Sequence, residues 1–349
     1  MSRPEQERSV ILAPLESRGD WETRCATFPS ATAFHQYDFL ETVAPLLNCS
    51  FVPLAVFSGG QPAGLAPLLV KKLGPFCTIN WVPFPYLGPL VPPELLTGTL
   101  RALRQEATHR RALNHQQSFS AQMSDGGLGG FTASADRTFV IPLDGRPDQD
   151  LLAAMGRYRR RDIGRAERSG FEVCPAEIGD FALMDVWAGQ LYAAQGMPAM
   201  YPAGTYARVF DVLRDAPGSI FSAARLGGQT VAVLIVLSTA SSAYAWQGAV
   251  DPSYRSEYAT DLLLWRAMVR ARDAGALEFD FVGAPNEGIA LYKSRFGAAE
   301  RHYTVLQRQA KVHSIAIKAR SHQLPRSRRR KLGGDQPGHS QRPHSLPRR

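Results

Sequence analysis

The side chains best placed for chemistry lie in the last third of the chain. Lys293 follows a loop carrying Gly283 and Gly288, just beyond the apolar strand pattern of residues 277–282. An ammonium at a strand end can stabilise a developing oxyanion; the alternative is an ordinary surface lysine. Asp280 sits between Phe279 and Phe281, so in a strand it faces opposite to both. There it orients an amine or Lys293, or makes a structural hydrogen bond. Trp246 and Tyr292 suit the wall of a pocket or of the core. Tyr254 and Arg255 precede a helix, where they contact a ligand or form a plain turn, and His35 lines a substrate pocket or is structural. No Ser-His-Asp or Cys-His arrangement is evident. Cys25, Cys49, Cys77 and Cys174 are scattered, without zinc-ligand spacing or a disulfide framework, and no dinucleotide glycine pattern is present. No metal and no resident cofactor are therefore expected.

A second set of residues is basic. Residues 150–169 read as one continuous helix, in which Arg157, Arg160, Arg161, Arg165 and Arg168 share a broad face opposite Leu151, Leu152, Met155 and Ile163. Such a face either meets the phosphates of a polyanion such as RNA or is simply solvated. Within it, Arg161-Asp162-Ile163-Gly164-Arg165-Ala166 matches a phosphate-loop pattern literally. Gly164 falls inside the helix rather than at its N-terminus, so the match reads as chance.

These residues need a scaffold of some size. The chain has 349 residues, 44% of them apolar, enough to bury two modest cores, and two domains are expected. The net charge of +9 is not spread evenly: residues 318–349 hold ten Lys/Arg and one Asp, which leaves 30 residues of each sign elsewhere. That tail is rich in Pro, Ser, Gly and Arg and reads as disordered. Its run Arg326-Ser327-Arg328-Arg329-Arg330-Lys331 touches RNA or anionic lipid, or serves only as a solvated tail. The polar start of the chain lacks a signal core, and the most apolar run, residues 230–237, is too short to span a bilayer. A soluble, cytoplasmic protein is expected.

The scaffold shows an internal echo. Residues 54–57 and 63–70 flank Gly59-Gly60-Gln61, and residues 221–226 and 231–237 flank Gly227-Gly228-Gln229, two hairpins with the same glycine turn. After the second come a strand at 242–249, a helix at about 260–274 and a strand at 277–282. After the first, 76–82 serves as the strand, 94–108 as the helix and 138–141 as the closing strand. Each series of hairpin, strand, helix and strand resembles the core of the GNAT fold. The fold class is α/β: two tandem GNAT-like domains, at 10–145 and 146–309, each a mixed sheet flanked by helices, followed by the basic tail at 318–349.

The resemblance becomes specific along residues 244–297. Tyr244-Ala245-Trp246-Gln247-Gly248-Ala249, Asp251-Pro252-Ser253-Tyr254-Arg255, Leu262-Leu263-Leu264-Trp265, Glu278-Phe279-Asp280-Phe281-Val282-Gly283 and Tyr292-Lys293-Ser294-Arg295-Phe296-Gly297 resemble, in this order, the second half of FemABX-like acyltransferases. Tyr158-Arg159-Arg160-Arg161-Asp162-Ile163 resembles that family's basic helix, and Phe34-His35-Gln36-Tyr37-Asp38-Phe39-Leu40 its entry helix. The likeness implies transfer of an acyl group to an amine. It implies an aminoacyl-tRNA co-substrate as donor and, as acceptor, an amine-bearing small metabolite or a peptidoglycan precursor. It also implies that Lys293 acts on the tetrahedral intermediate. Coenzyme A users of this fold need glycine in a phosphate-binding loop that corresponds here to Arg255-Ser256-Glu257-Tyr258-Ala259-Thr260, where Tyr258 takes the glycine position and Glu257 repels phosphate. Acyl-coenzyme A is the alternative donor, and a non-catalytic RNA- or envelope-binding protein the alternative class.

Overall fold

A computed structural model describes residues 9–123 and 128–310; the basic tail lies outside the described residues. The first half of the chain forms β1 (Val10–Pro14), α1 (Arg18–Cys25), α2 (Tyr37–Leu46), β2 (Ser50–Ser58), β3 (Gln61–Leu73), β4 (Phe76–Ile79), α3 (Pro93–His109), β5 (Ala112–Ser118) and β6 (Thr132–Pro142). The second forms α4 (Asp148–Ala154), α5 (Arg157–Arg168), β7 (Glu172–Pro175), α6 (Asp180–Ala194), α7 (Thr205–Leu213), β8 (Ile220–Leu226), β9 (Gln229–Ser238), β10 (Ser242–Val250), α8 (Ala259–Asp273), β11 (Glu278–Asp280), α9 (Glu287–Ser294) and β12 (Ala299–Gln309).

The strands pair into one mixed sheet in the order β1-β2-β3-β4-β5-β12-β6-β11-β10-β9-β8-β7. This order reads almost the same from either edge. Each half opens with an antiparallel hairpin, β2–β3 or β8–β9, turned by two glycines at positive φ: Gly59 and Gly60 at 59° and 78°, Gly227 and Gly228 at 57° and 80°. A side chain at either position would strain the left-handed backbone that the hairpin twist demands. Each half then places a parallel pair, β4–β5 or β10–β11.

Two expectations require correction. The strand at 138–141 does not close the first half: β6 pairs with β11 and with β12, so each half donates its last strand to the other's side of the sheet. The first half is instead completed by β5, whose sequence Ala-Leu-Asn-His-Gln-Gln-Ser has no apolar alternation and so carries no strand signal. Residues 150–169 are not one helix either. Met155 is extended (ψ 149°) between α4 and α5, and the Gly156 N–H donates to the Arg295 carbonyl (2.9 Å) instead of continuing the helical ladder. Arg160 Nη1 satisfies the freed carbonyls of Ala153 and Met155 (2.9 Å each), which makes the break stable.

The largest core crosses between the halves. Trp21, Phe34 and Phe39 pack with Tyr244 and Trp246 of β10 and with Phe181 and Tyr206 from α6 and α7. The Phe39 and Trp246 rings stand 5.3 Å apart edge to face, and Gln36 Nε2 donates to the Ser238 carbonyl (2.8 Å). Burial of such rings stabilises each contact by roughly 1.5–3 kcal/mol per side chain, so α2 is held on the sheet of the second half. A second core lies under α5 and α8, a third under α3. Among the described residues no helix is long and apolar enough to cross a membrane.

Candidate active site

The parallel pair of the second half separates at Tyr244 and Asp280, the last residues in register. Beyond that point β10 continues, but with Ala245 opposite Val236 and Gln247 opposite Ile235, so Trp246 is an extra, bulged residue outside the ladder with β9. β11 ends and turns back through Val282 (φ 55°) and Gly283 (φ 74°). A β-branched residue in the left-handed region costs on the order of 1–3 kcal/mol, and persists only where its surroundings hold it. Here they do: the Val282 N–H donates to Asp280 Oδ1 (2.7 Å) and the Gly283 N–H to Thr138 Oγ1 (3.1 Å).

Lys293 completes that turn. It projects from α9, whose N-terminus is capped by the Asn286 side chain accepting from the Ile289 N–H (2.9 Å). Its Nζ donates to the carbonyls of Phe281 (2.7 Å), Val282 (3.3 Å) and Gly283. Burial pulls the ammonium down to about 8, against an opposing pull from Asp280. Asp280 is 3% exposed and has three in-chain partners: the Tyr86 hydroxyl (3.0 Å), Thr138 Oγ1 (2.5 Å) and the Val282 N–H. Burial raises its pKa, and these three donors oppose the rise. As expected, it faces away from Phe279 and Phe281, which enter the core under α8.

The separation of the strands opens a cavity of about 420 Å³, walled by Val282 and Gly283, Trp246 and Gln247, Tyr303, and Pro83 to Pro85 of the first half. Among the described residues, Asp136 is the single carboxylate on its wall, and no lysine or arginine lines it. Asp136 accepts from the Tyr303 hydroxyl (3.0 Å) and the Arg137 N–H (2.8 Å). Gln116 and Gln307 pair with one another on the same wall (3.0 Å). Trp246 donates its indole N–H to the Tyr201 hydroxyl (2.9 Å) and forms an aromatic wall with Tyr201. A cavity with one carboxylate and no cation favours an ammonium over an anion.

The other residues singled out in the sequence are spread more widely. His35 is 2% exposed; Nδ1 accepts from the Thr32 N–H (3.1 Å), so Nε2 carries the proton and donates to the Gly88 carbonyl (2.9 Å). Burial pulls its pKa down to about 4. It borders a separate cavity of about 410 Å³ that shares only Ser118 with the first. Tyr254 and Arg255 lie in a 3-10 turn, Pro252–Glu257, with Arg255 exposed. On α5, Arg161 pairs with Asp162 (3.0 Å), Arg165 with Glu257 (3.5 Å), and Arg157 rests over the Tyr158 ring (5.4 Å). Arg160 serves the helix break.

Arg159, which the sequence placed only within a basic run, is the buried member of that helix. It forms an ion pair with Asp261 and is stacked between Tyr292 and Phe296, 4.5 and 4.4 Å from their ring centres. The Tyr292 hydroxyl donates to the same carboxylate (2.7 Å). Asp261 belongs to the first turn of α8 and is 4% exposed. Tyr258 precedes that helix at φ 64°. The helix N-terminus thus carries an anion from its own sequence, paired with an internal arginine. Sequence reasoning also missed Thr138, Tyr86, Asp136 and Tyr303. Asp136 and Tyr303 face each other across β6 and β12, and no local pattern joins strands 167 residues apart.

Residues 155–294 match the family model described as an acetyltransferase (GNAT) domain. The crystal structure of FemX superposes with a TM-score of 0.67 over 84% of this chain and 96% of that one, at 14% identity. The chain has the FemABX-like, tandem GNAT fold. Two further structures agree with the FemABX-like architecture. A tandem GNAT protein from the clavulanic acid biosynthesis pathway gives a TM-score of 0.56 at 14% identity, over 86% of this chain and 98% of that one. A C-terminal domain assigned to a lysylphosphatidylglycerol synthetase of Agrobacterium fabrum gives 0.55 at 14% identity, over 86% and 96%. No curated protein matches the chain.

Proposed function

We propose that this FemABX-like chain is an acyltransferase that moves an aminoacyl group from aminoacyl-tRNA to the amine of a small metabolite or cell-wall precursor. The observation that carries the choice of donor is the N-terminal turn of α8. Pyrophosphate recognition in this fold needs open backbone amides there, whereas Asp261, Arg159 and Tyr292 fill the site with a buried carboxylate and its partners. A second anion beside Asp261 meets repulsion, and Tyr258 occupies the position that calls for glycine.

In this reading the acceptor amine lies in the cavity beside Trp246, with Asp136 taking the proton that the ammonium loses before attack. The nitrogen attacks the ester carbonyl, a C–N bond forms, the C–O bond to the tRNA ribose breaks, and the second amine proton leaves with the ribose oxygen. Lys293 does not line the cavity but bonds the Val282 and Gly283 carbonyls of its wall, and it supports the oxyanion once its 3.3 Å contact to the Val282 carbonyl, the longest of its three, is exchanged for a substrate oxygen. Asp280 acts as a positioning residue, holding the Val282 turn. Trp246 walls the site. The exposed arginines of α5, with Arg157, Arg161 and Arg165 foremost, offer the polyanion its electrostatic contact.

Charged tRNA pools and acyl-coenzyme A, each incubated separately with candidate amines, distinguish the donors. Release of uncharged tRNA, abolished by RNase, is the expected result. Thiol release from acyl-coenzyme A with no response to charged tRNA would overturn the donor assignment and leave the acyltransferase standing.

A further inference from the structure

Among the described residues, one face of the second half has no partner. α6 is apolar on nearly all sides, a pattern that belongs to a covered helix, yet of its apolar side chains only Phe181, Met184 and Trp187 are buried against the sheet. Its outer stripe is open: Leu183 is 39% exposed, Val186 54% and Leu191 39%, and the loop that follows exposes Met197 (45%) and Met200 (39%). No Asp, Glu, Lys or Arg occurs from residue 186 to residue 207. Surfaces of monomeric proteins seldom leave an apolar patch of this kind without a ligand.

We infer that this face is a membrane-docking surface, seated in the interfacial region of a bilayer that carries anionic headgroups. Three features favour a lipid surface over a second protein. A stretch of 22 residues without a formal charge enters the headgroup boundary without desolvating an ion. The patch runs directly into the cavity, whose wall includes Met200 and Tyr201. A protein seated there would cover the mouth, whereas a bilayer leaves it facing the layer from which an amine-bearing headgroup or lipid-linked acceptor enters. This last point rests on the acceptor site proposed above; the docking itself does not. The excess positive charge of the chain, carried by residues 318–349, supplies the complementary attraction to anionic lipid. Apolar insertion and basic attraction together make the two signals that stable interfacial binding requires.

Flotation of the full chain with phosphatidylcholine vesicles, with and without phosphatidylglycerol, tests this. Wild type is expected to float with the anionic vesicles. The triple variant Val186→Gln, Leu191→Gln, Met197→Gln, none of which lies on the cavity wall or in its hydrogen-bond network, is expected to bind at least about tenfold more weakly. The residual binding of the variant should fall further with added salt. Turnover of a soluble amine acceptor by the triple variant should equal that of wild type, which reports an intact fold. Wild-type flotation by the variant, or no flotation of wild type with either vesicle, overturns the inference. So does a concentration-dependent dimer that the triple variant abolishes, since the face would then be covered by a second copy. Flotation does not require transfer, so failure of docking and failure of the acyltransferase reading are read separately.

Discussion

The two parallel pairs of the sheet begin alike and end differently. In the second half β10 runs for nine residues, past the end of β11, and the gap that opens between them is the cavity beside Trp246. In the first half β4 stops after four residues, and Asn80, at φ 52°, closes the gap with its own side chain. Asn80 Oδ1 accepts from the Leu69 N–H (2.7 Å), and Nδ2 donates to the carbonyls of Pro67 (3.0 Å) and Leu87 (3.3 Å). One amide thus replaces a strand partner. The chain released by this early stop is the segment carrying Pro83 to Pro85, which walls the cavity of the other half. The first half has exchanged its own opening for a wall on its partner's. The closed gap is held by neutral amide contacts, whereas the half with the open gap carries buried charged contacts, Lys293 on three carbonyls and Arg159 on Asp261.

That contrast can be tested in order of effect. Arg159→Leu leaves the buried Asp261 carboxylate without its cation and should cost about 3–5 kcal/mol in chemical denaturation. A loss under about 1 kcal/mol would mean that packing, not charge, holds the open half. Asn80→Ala unpairs the Leu69 N–H and the Pro67 carbonyl in the interior and should cost about 2–3 kcal/mol, while transfer at a temperature where the variant is folded stays near wild type. Loss of transfer in folded Asn80→Ala would make the closed gap part of the reaction. The Lys293 ammonium titrates near 8 in the fold and at 10.5 in a free chain. Between these values the unfolded state binds more protons, so the contribution of Lys293 to stability rises with pH across that window. Lys293→Met should remove that component from a denaturation series, and an unchanged slope would show that the ammonium is not buried as described. Val282→Gly should stay within about 1 kcal/mol of wild type, because relief of left-handed strain offsets the added freedom of the unfolded chain. A larger loss would place the weight on Val282 packing.

Much of the frame was legible because it rests on local signals. The glycine hairpins, the helix that became α8 and the alternation of Phe279, Asp280 and Phe281 all follow from periods of two or 3.6 and from turn residues. β5 was not legible, since its Asn, His and Gln side chains read as loop, although His115 and Gln117 are each 1% exposed and hydrogen-bond to one another (2.7 Å). The exchange of β6 and β12 was hidden for a related reason: hydropathy identifies a strand but not its neighbour. Lys293 and Asp280 stand out in the sequence, and the structure brings them to one turn. Trp246 reached the cavity wall, whereas His35 reached a different cavity and Tyr292 joined Arg159 and Asp261. Arg159 was indistinguishable from its exposed neighbours because its partner lies 102 residues away.

The pH profile of single-turnover transfer by wild type and Lys293→Met addresses the open gap most directly. Wild type is predicted to lose rate as pH rises through about 8, where the ammonium gives up its proton. Lys293→Met should be slower by about a hundredfold at neutral pH, with little change in acceptor binding and without that alkaline limb. Wild-type rate and profile in Lys293→Met would contradict the assignment of the chemistry to this turn.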